Sequence, residues 1–160
     1  MKVLGIDPGT TRAGFGLIEA TGPSVTLLDS GLLTVTSVDA HRRLADLAAS
    51  YADLLKREQP DLVAFEKLFF AKNVKTALDV AQARGVLLLV TTQHDIPFLE
   101  FTPSEVKSSI AGYGSADKQA VATMVRRITG VKDIKGPDDV TDAIAIAIVG
   151  ASHYRIAEQG

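Results

Sequence analysis

Cysteine is absent from the 160 residues, which removes a disulfide framework, a thiolate metal site and a cysteine nucleophile together. Apolar runs such as Val86 to Val90 are far too short to span a bilayer. The opening Met-Lys-Val-Leu-Gly-Ile-Asp reaches an acid before a signal-peptide core can form, so a cytoplasmic protein without a membrane partner is expected. A basic excess is also missing: 17 basic residues face 19 acidic ones, a net charge of −2, which taken at face value argues against a nucleic-acid binder. The three histidines, His41, His94 and His153, are scattered and share no face. No Gly-x-x-x-x-Gly-Lys-Ser/Thr loop, His-Glu-x-x-His helix or Gly-x-Ser-x-Gly elbow occurs. What is present is 46% hydrophobic and 22% charged residues, the composition of one globular domain expected to span residues 1–160.

The first third carries strand patterns. Lys2 to Asp7 is apolar on both faces, the mark of a central strand, and Pro8-Gly9 supplies a turn. Arg12 to Glu19 and Val25 to Val35 follow with short breaks, which predicts an antiparallel meander of three strands. The period then changes. Leu44, Leu47, Ala48, Tyr51, Leu54 and Leu55 fall at helical spacing, ahead of a second both-face-apolar strand, Asp61 to Glu66. A long helix is expected from about Asn73 to His94, then a strand at Phe98–Phe101. Thr102-Pro103-Ser104-Glu105 reads as a capping box opening a helix. Ser115 is expected to cap another helix through Arg127, and a last helix runs from Asp138 to about His153. Its Ala-Ile-Ala-Ile-Ala-Ile run alternates like a strand, but alanine favours helices and the apolar stretch is long. The order is β-β-β-α-β-α-β-α-α-α, one mixed α/β domain.

The acids fall at revealing places. Both strands that are apolar on two sides end in a carboxylate, Asp7 and Glu66. A helical crossover makes these strands parallel neighbours, with their carboxyl ends side by side, where ligands of open α/β sheets bind. Asp138, Asp139 and Asp142 crowd the first turn of the last helix, and Asp139 and Asp142 share a face. An acid at a strand end is ordinarily the start of a loop, and an acidic first turn is an ordinary helix-start signal. Their conjunction, with no cysteine and no paired histidine, points to an all-oxygen site suited to Mg²⁺ or Mn²⁺. Such a site fits two-metal phosphodiester hydrolysis.

The ordered set of Gly5-Ile-Asp7-Pro8-Gly9, Phe65-Glu66 with Phe69 and Ala71-Lys72-Asn73, Gln82-Ala-Arg-Gly85, Thr102-Pro103 with Val106-Lys107, Gly112 to Lys118, and Asp139-x-x-Asp142-Ala-x-Ala-x-Ala resembles the bacterial RuvC Holliday-junction resolvases from Lys2 to about His153. The resemblance implies an RNase H-like fold whose five-stranded mixed sheet has three antiparallel strands and then two parallel ones, flanked by helices. It implies a homodimer that resolves four-way DNA junctions by paired symmetric nicks in recombination and repair, using two Mg²⁺ or Mn²⁺ ions per site and working with a branch-migration motor. Asp7, Glu66, Asp139 and Asp142 would be the catalytic metal ligands, with Asp138 an open alternative to Asp139 because it stands four before Asp142. Phe69 would stack on an opened junction base, which aromatic stacking stabilises by about 1–3 kcal/mol; Lys72 and Asn73 share its loop and the expected DNA contact. Lys107 and Lys118 would address DNA near the reacting phosphate, each from the start of a capped helix. Arg84 and Gly85 would belong to the dimer interface.

Two rival readings use the same residues. Asp-x-Gly-Thr-Thr after a first strand also resembles the phosphate-binding turn of ATPases and sugar kinases, which clasp nucleotide between two such domains. A non-catalytic junction-binding module on this fold would not need four acids where phosphates approach. The acidic balance also loses its force on division: residues 1–66 hold 6 basic and 9 acidic residues, 67–135 hold 10 and 6, and 136–160 hold 1 and 4. The basic excess lies in the segment expected to meet DNA, and the acidic remainder includes the expected metal ligands.

Overall fold

Strand alternation and one apolar helix build the architecture. The computed structural model describes residues 1–67 and 74–158, in which five strands and five helices follow the expected order. The strands are β1 (Lys2–Asp7), β2 (Gly14–Thr21), β3 (Ser24–Leu32), β4 (Leu62–Glu66) and β5 (Phe98–Phe101). They form one sheet in the order β3-β2-β1-β4-β5, with β1 antiparallel to β2, β2 antiparallel to β3, and β1, β4 and β5 parallel. The third strand stops at Leu32, short of the expected Val35, and a bulge opposite Leu17/Ile18 distorts its pairing with β2.

Helices α1 (Ala40–Glu58) and α2 (Val74–Gln93) cover one face; α3 (Pro103–Ala111), α4 (Lys118–Thr129) and α5 (Asp138–Glu158) cover the other. Because side chains alternate across a strand, Leu4, Ile6, Val63 and Phe65 enter the core under α1 and α2. Val3, Leu62 and Ala64 enter the core under α5. Asp7 and Glu66 continue the second series and therefore face the α5 side.

The Ala-Ile repeat is helical, as propensity requires. Residues Ala143 through Val149 are all buried, each isoleucine side chain contributing about 1.5–3 kcal/mol on burial. Alanine and glycine bring this helix directly onto the sheet. A Cβ at Gly5 would collide with the carbonyl of Ala143, and one at Gly14 with the carbonyl of Asp139. Farther along, a Cβ at Gly150 would stand 2.8 Å from the Ala64 methyl. Helix α5 thus crosses from the β2 edge of the site towards β4, and runs five residues past the expected His153 to Glu158.

The caps explain the helix starts. Asp39 accepts from the backbone N–H groups of His41 and Arg42 to open α1, and Gln59 closes it in the left-handed conformation at φ 47°. Thr102 and Glu105 form the expected reciprocal capping box, with Pro103 at the first helical position. The cap of α4 is Asp117, whose carboxylate accepts from Ala120 N–H at 2.7 Å, rather than Ser115. An aspartate two residues nearer the apolar stripe supplies a charged acceptor, and the helix begins there.

Candidate active site

Three elements converge at the carboxyl edge of the two central parallel strands. In the register, Ile6 pairs with Phe65, so the next residue of each strand, Asp7 and Glu66, stands at the same level. Helix α5 begins above them. The carbonyl of Asp139 packs on Gly14, which is the β2 partner of Asp7, so the first turn of α5 is seated beside the end of β1. Asp142 lies one turn further on and joins Glu66 in lining a cleft of about 270 Å³, together with Pro103, Val106, Lys107, Lys118, Val121 and Ile146.

The acids feel one another. Burial first, then repulsion from Glu66, Asp142 and Asp139, pushes the Asp7 carboxyl up to about 8, with Lys118 pulling the other way. Burial and Asp142 raise Glu66, against the opposing pull of Lys107 and Lys118. Burial likewise raises Asp142, where Lys118 opposes and Asp138 and Asp139 add to the effect. Three carboxyls raised in this way favour positive charge nearby. Among the described residues, however, no three His, Asp or Glu side chains stand at the spacing of a metal cage. Closing a chelate therefore requires side-chain rotation that draws the carboxylates together. The donor set itself fits a hard divalent cation: all oxygen, anionic, and held on secondary structure.

The structure separates the two candidate aspartates at the start of α5. Asp139 belongs to the group that raises Asp7, sits over Gly14, and retains 28% side-chain exposure. Asp138 is 78% exposed and turns to Lys118, whose ammonium lies 3.5 Å from it and 3.8 Å from Asp142. Spacing along the sequence does not separate the two, but their surroundings differ: Asp139 lies over Gly14 and Asp138 towards Lys118. The Lys118 ammonium is raised, by Asp142 foremost, so it is firmly charged.

Lys118 opens α4, as expected, whereas Lys107 does not open α3. With Pro103 as the first helical residue, Lys107 is the fifth, so its side chain reaches the cleft from the second turn while its own N–H lies within the helix. Phe69, Lys72 and Asn73 lie outside the described residues. Arg84, expected at a subunit interface, pairs with Glu100 within the chain and ties α2 to β5. Sequence reasoning missed Arg12, whose Nε lies 3.9 Å from Asp139. The available signal was a basic residue in the turn that follows the first acid.

The family profile described as "Crossover junction endodeoxyribonuclease RuvC" matches residues 3–150. The chain belongs to the RuvC family. A RuvC of Moorella thermoacetica is 46% identical over 153 residues, covering 95% of this chain and 92% of that protein. One of Chloroflexus aggregans is 47% identical over 152 residues, covering 94% and 93%. The structure of "T. thermophilus RuvC in complex with Holliday junction substrate" superposes with a TM-score of 0.90 at 34% identity, covering 98% of this chain and 96% of that one. These matches span the strand-end acids, both site lysines and the start of α5, so the RuvC fold expected from the motifs is the fold observed. Among the described residues no helix is long and apolar enough to cross a membrane.

Proposed function

We propose that the protein is a metal-dependent endonuclease that resolves four-way DNA junctions by paired nicks. The observation that carries this reading is the gathering of Asp7, Glu66, Asp139 and Asp142 at one sheet edge, with Lys107 and Lys118 beside them. A binding module has no use for four mutually destabilising acids at a surface that phosphates must approach. Family membership joins that chemistry to the four-way junction.

Asp7, Glu66, Asp139 and Asp142 would hold two divalent cations, Mg²⁺ or Mn²⁺, which supply water activation and stabilisation of the leaving oxygen in an in-line displacement. The chain's own contribution is positioning. Asp7 and Glu66 are fixed by central strands, Asp139 and Asp142 by a helix packed on glycine, and none depends on a long loop. Lys118 and Lys107 stand at the cleft to attract the scissile phosphate and offset charge that grows in the transition state. Phe69, Lys72 and Asn73 are assigned to the junction contact on the family motif alone.

A homodimer supplies the second nick. On α2, Leu78 is 61% exposed, Leu89 is 57% exposed, and nothing lies within 4 Å of the place a Gly85 Cβ would take. These positions recur at helical spacing with Gln82, giving a stripe with exposed leucines at both ends and a flat centre at Gly85 where a second helix can approach. Changing Leu89 to Glu is expected to yield monomers in sedimentation and single rather than paired nicks.

The direct test is incubation with a synthetic four-way junction and Mg²⁺, mapping the products at nucleotide resolution. Symmetric nicks in opposed strands support the reading. Equal cutting of linear duplex of the same sequence, or no cutting with either Mg²⁺ or Mn²⁺, contradicts it.

A further inference from the structure

We propose that Arg12 is a substrate-binding residue that neutralises Asp139 in the free protein and passes to a DNA phosphate when a divalent cation takes over that carboxylate. The proposal rests on the nuclease reading above and adds to it a residue, and a coupling, that the family motif does not contain.

Three observations carry it. The guanidinium is placed at the acid cluster, with its Nε 3.9 Å from the Asp139 carboxylate. It is nonetheless free to leave, since its side chain is 61% exposed and an exposed pair at this separation is weak. Its root, by contrast, is fixed. Ala13 is fully buried, and its carbonyl accepts from Leu33 N–H at 2.9 Å. The turn also folds back so tightly that a Cβ at Gly9 would strike the Arg12 carbonyl. A long cationic side chain on a rigid base, loosely held by one acid, is suited to exchanging partners.

Its direction of approach matters. Lys107 and Lys118 line the cleft with Glu66 and Asp142. Arg12 meets Asp139, the acid seated over β2 at Gly14. A phosphate brought to the acids from the side of the two lysines therefore has a third cation on the β2 side, able to hold the neighbouring backbone position in a forked geometry that lysine lacks. While Asp139 is uncompensated, Arg12 is occupied by it. A divalent cation held by Asp139 would leave the guanidinium free for DNA. Linkage makes this reciprocal: DNA that draws Arg12 away leaves Asp139 readier for the cation.

The test uses the full chain with Arg12→Ala and Arg12→Lys. Without DNA, Mn²⁺ titration followed by electron paramagnetic resonance is expected to show about two- to five-fold tighter binding in R12A, because a competing cation is gone. With junction and Mg²⁺, R12A is expected to raise KM by more than it lowers kcat. The slope of log(1/KM) against log salt should become shallower by about 0.9 for each phosphate that the variant no longer neutralises. R12K should restore most of the salt slope and less of the affinity. Unchanged or weaker Mn²⁺ binding in R12A overturns the exchange with Asp139. An unchanged salt slope overturns the phosphate contact. If the unaltered protein does not nick the junction, the nuclease reading fails instead, and the DNA-free Mn²⁺ titration still decides the Arg12–Asp139 exchange.

Discussion

The carbonyl of Asp139 rests where a side chain at Gly14 would stand, so the smallest residue of β2 sets the position of a candidate ligand on α5. The relation links packing to chemistry. The helix carrying two of the proposed ligands can lie beside the strand carrying a third only because β1 and β2 present glycine at Gly5, Gly14 and Gly16 on that face.

Gly14→Ala is therefore expected to destabilise the protein by about 1–3 kcal/mol, the usual range for overpacking, and to reduce nicking beyond what the folded fraction explains. Denaturant melts with nicking rates normalised to folded protein check this. A variant that loses stability but keeps its normalised rate would show that the first turn of α5 can shift without consequence.

The acid cluster predicts a pH dependence with a definite sign. An Asp7 carboxyl raised to about 8 binds more protons in the folded state than in the unfolded one between pH 4 and 8. The contribution of Asp7 to the stability of the metal-free protein should thus be most favourable below the ordinary carboxylate range and be lost as pH rises through about 8. Asp7→Asn should flatten the fall and, in EDTA at pH 8, raise stability by roughly 1–3 kcal/mol. Mg²⁺ should stabilise the unaltered protein at pH 8 in proportion to its occupancy and do so less for the variant. Thermal melts across pH, with and without Mg²⁺, read all three; strong destabilisation of the variant in EDTA would contradict a strained acid site.

The two neighbouring aspartates should separate in function. Asp139→Asn is expected to abolish nicking while junction binding persists. Asp138→Asn should retain most activity, since Asp138 is exposed and contacts Lys118 rather than the acid cluster's centre. Equal losses in single-turnover nicking would return the choice to the ambiguity of the sequence.

A buried polar link between the two helices on the opposite face offers a control. The Tyr51 hydroxyl and Thr91 Oγ1 lie 2.8 Å apart, and Thr91 also donates to the Leu87 carbonyl. Tyr51→Phe leaves that second bond intact, so a loss of about 0.5–1.5 kcal/mol in chemical denaturation is expected, with nicking retained.

Much of this fold is legible because one-dimensional patterns carry it. The two-sided apolar runs ending in Asp7 and Glu66 announce central parallel strands, and alternation then puts both acids on one face. Alanine content resolves the last helix against its strand-like period. What escapes the sequence depends on competition between neighbours. Asp117 and Ser115 are both competent caps, and only the position of the apolar stripe of α4 selects the first. Asp138 and Asp139 are both spaced to share a helix face with Asp142, and their different surroundings, Lys118 for one and Gly14 for the other, come only from the fold. Arg12 shows in the sequence only as a basic residue in the turn after the first acid; its partner lies 127 residues away on another element, and no local period connects a turn to a helix start.

The central claim is that the strand-end and helix-start acids hold the cations that cut the junction. It is tested most directly by giving Asp7→Asn a labelled four-way junction with Mg²⁺ and measuring binding and nicking in the same samples. The account predicts junction affinity near that of the unaltered protein and no nicks. Nicking at the unaltered rate would contradict it.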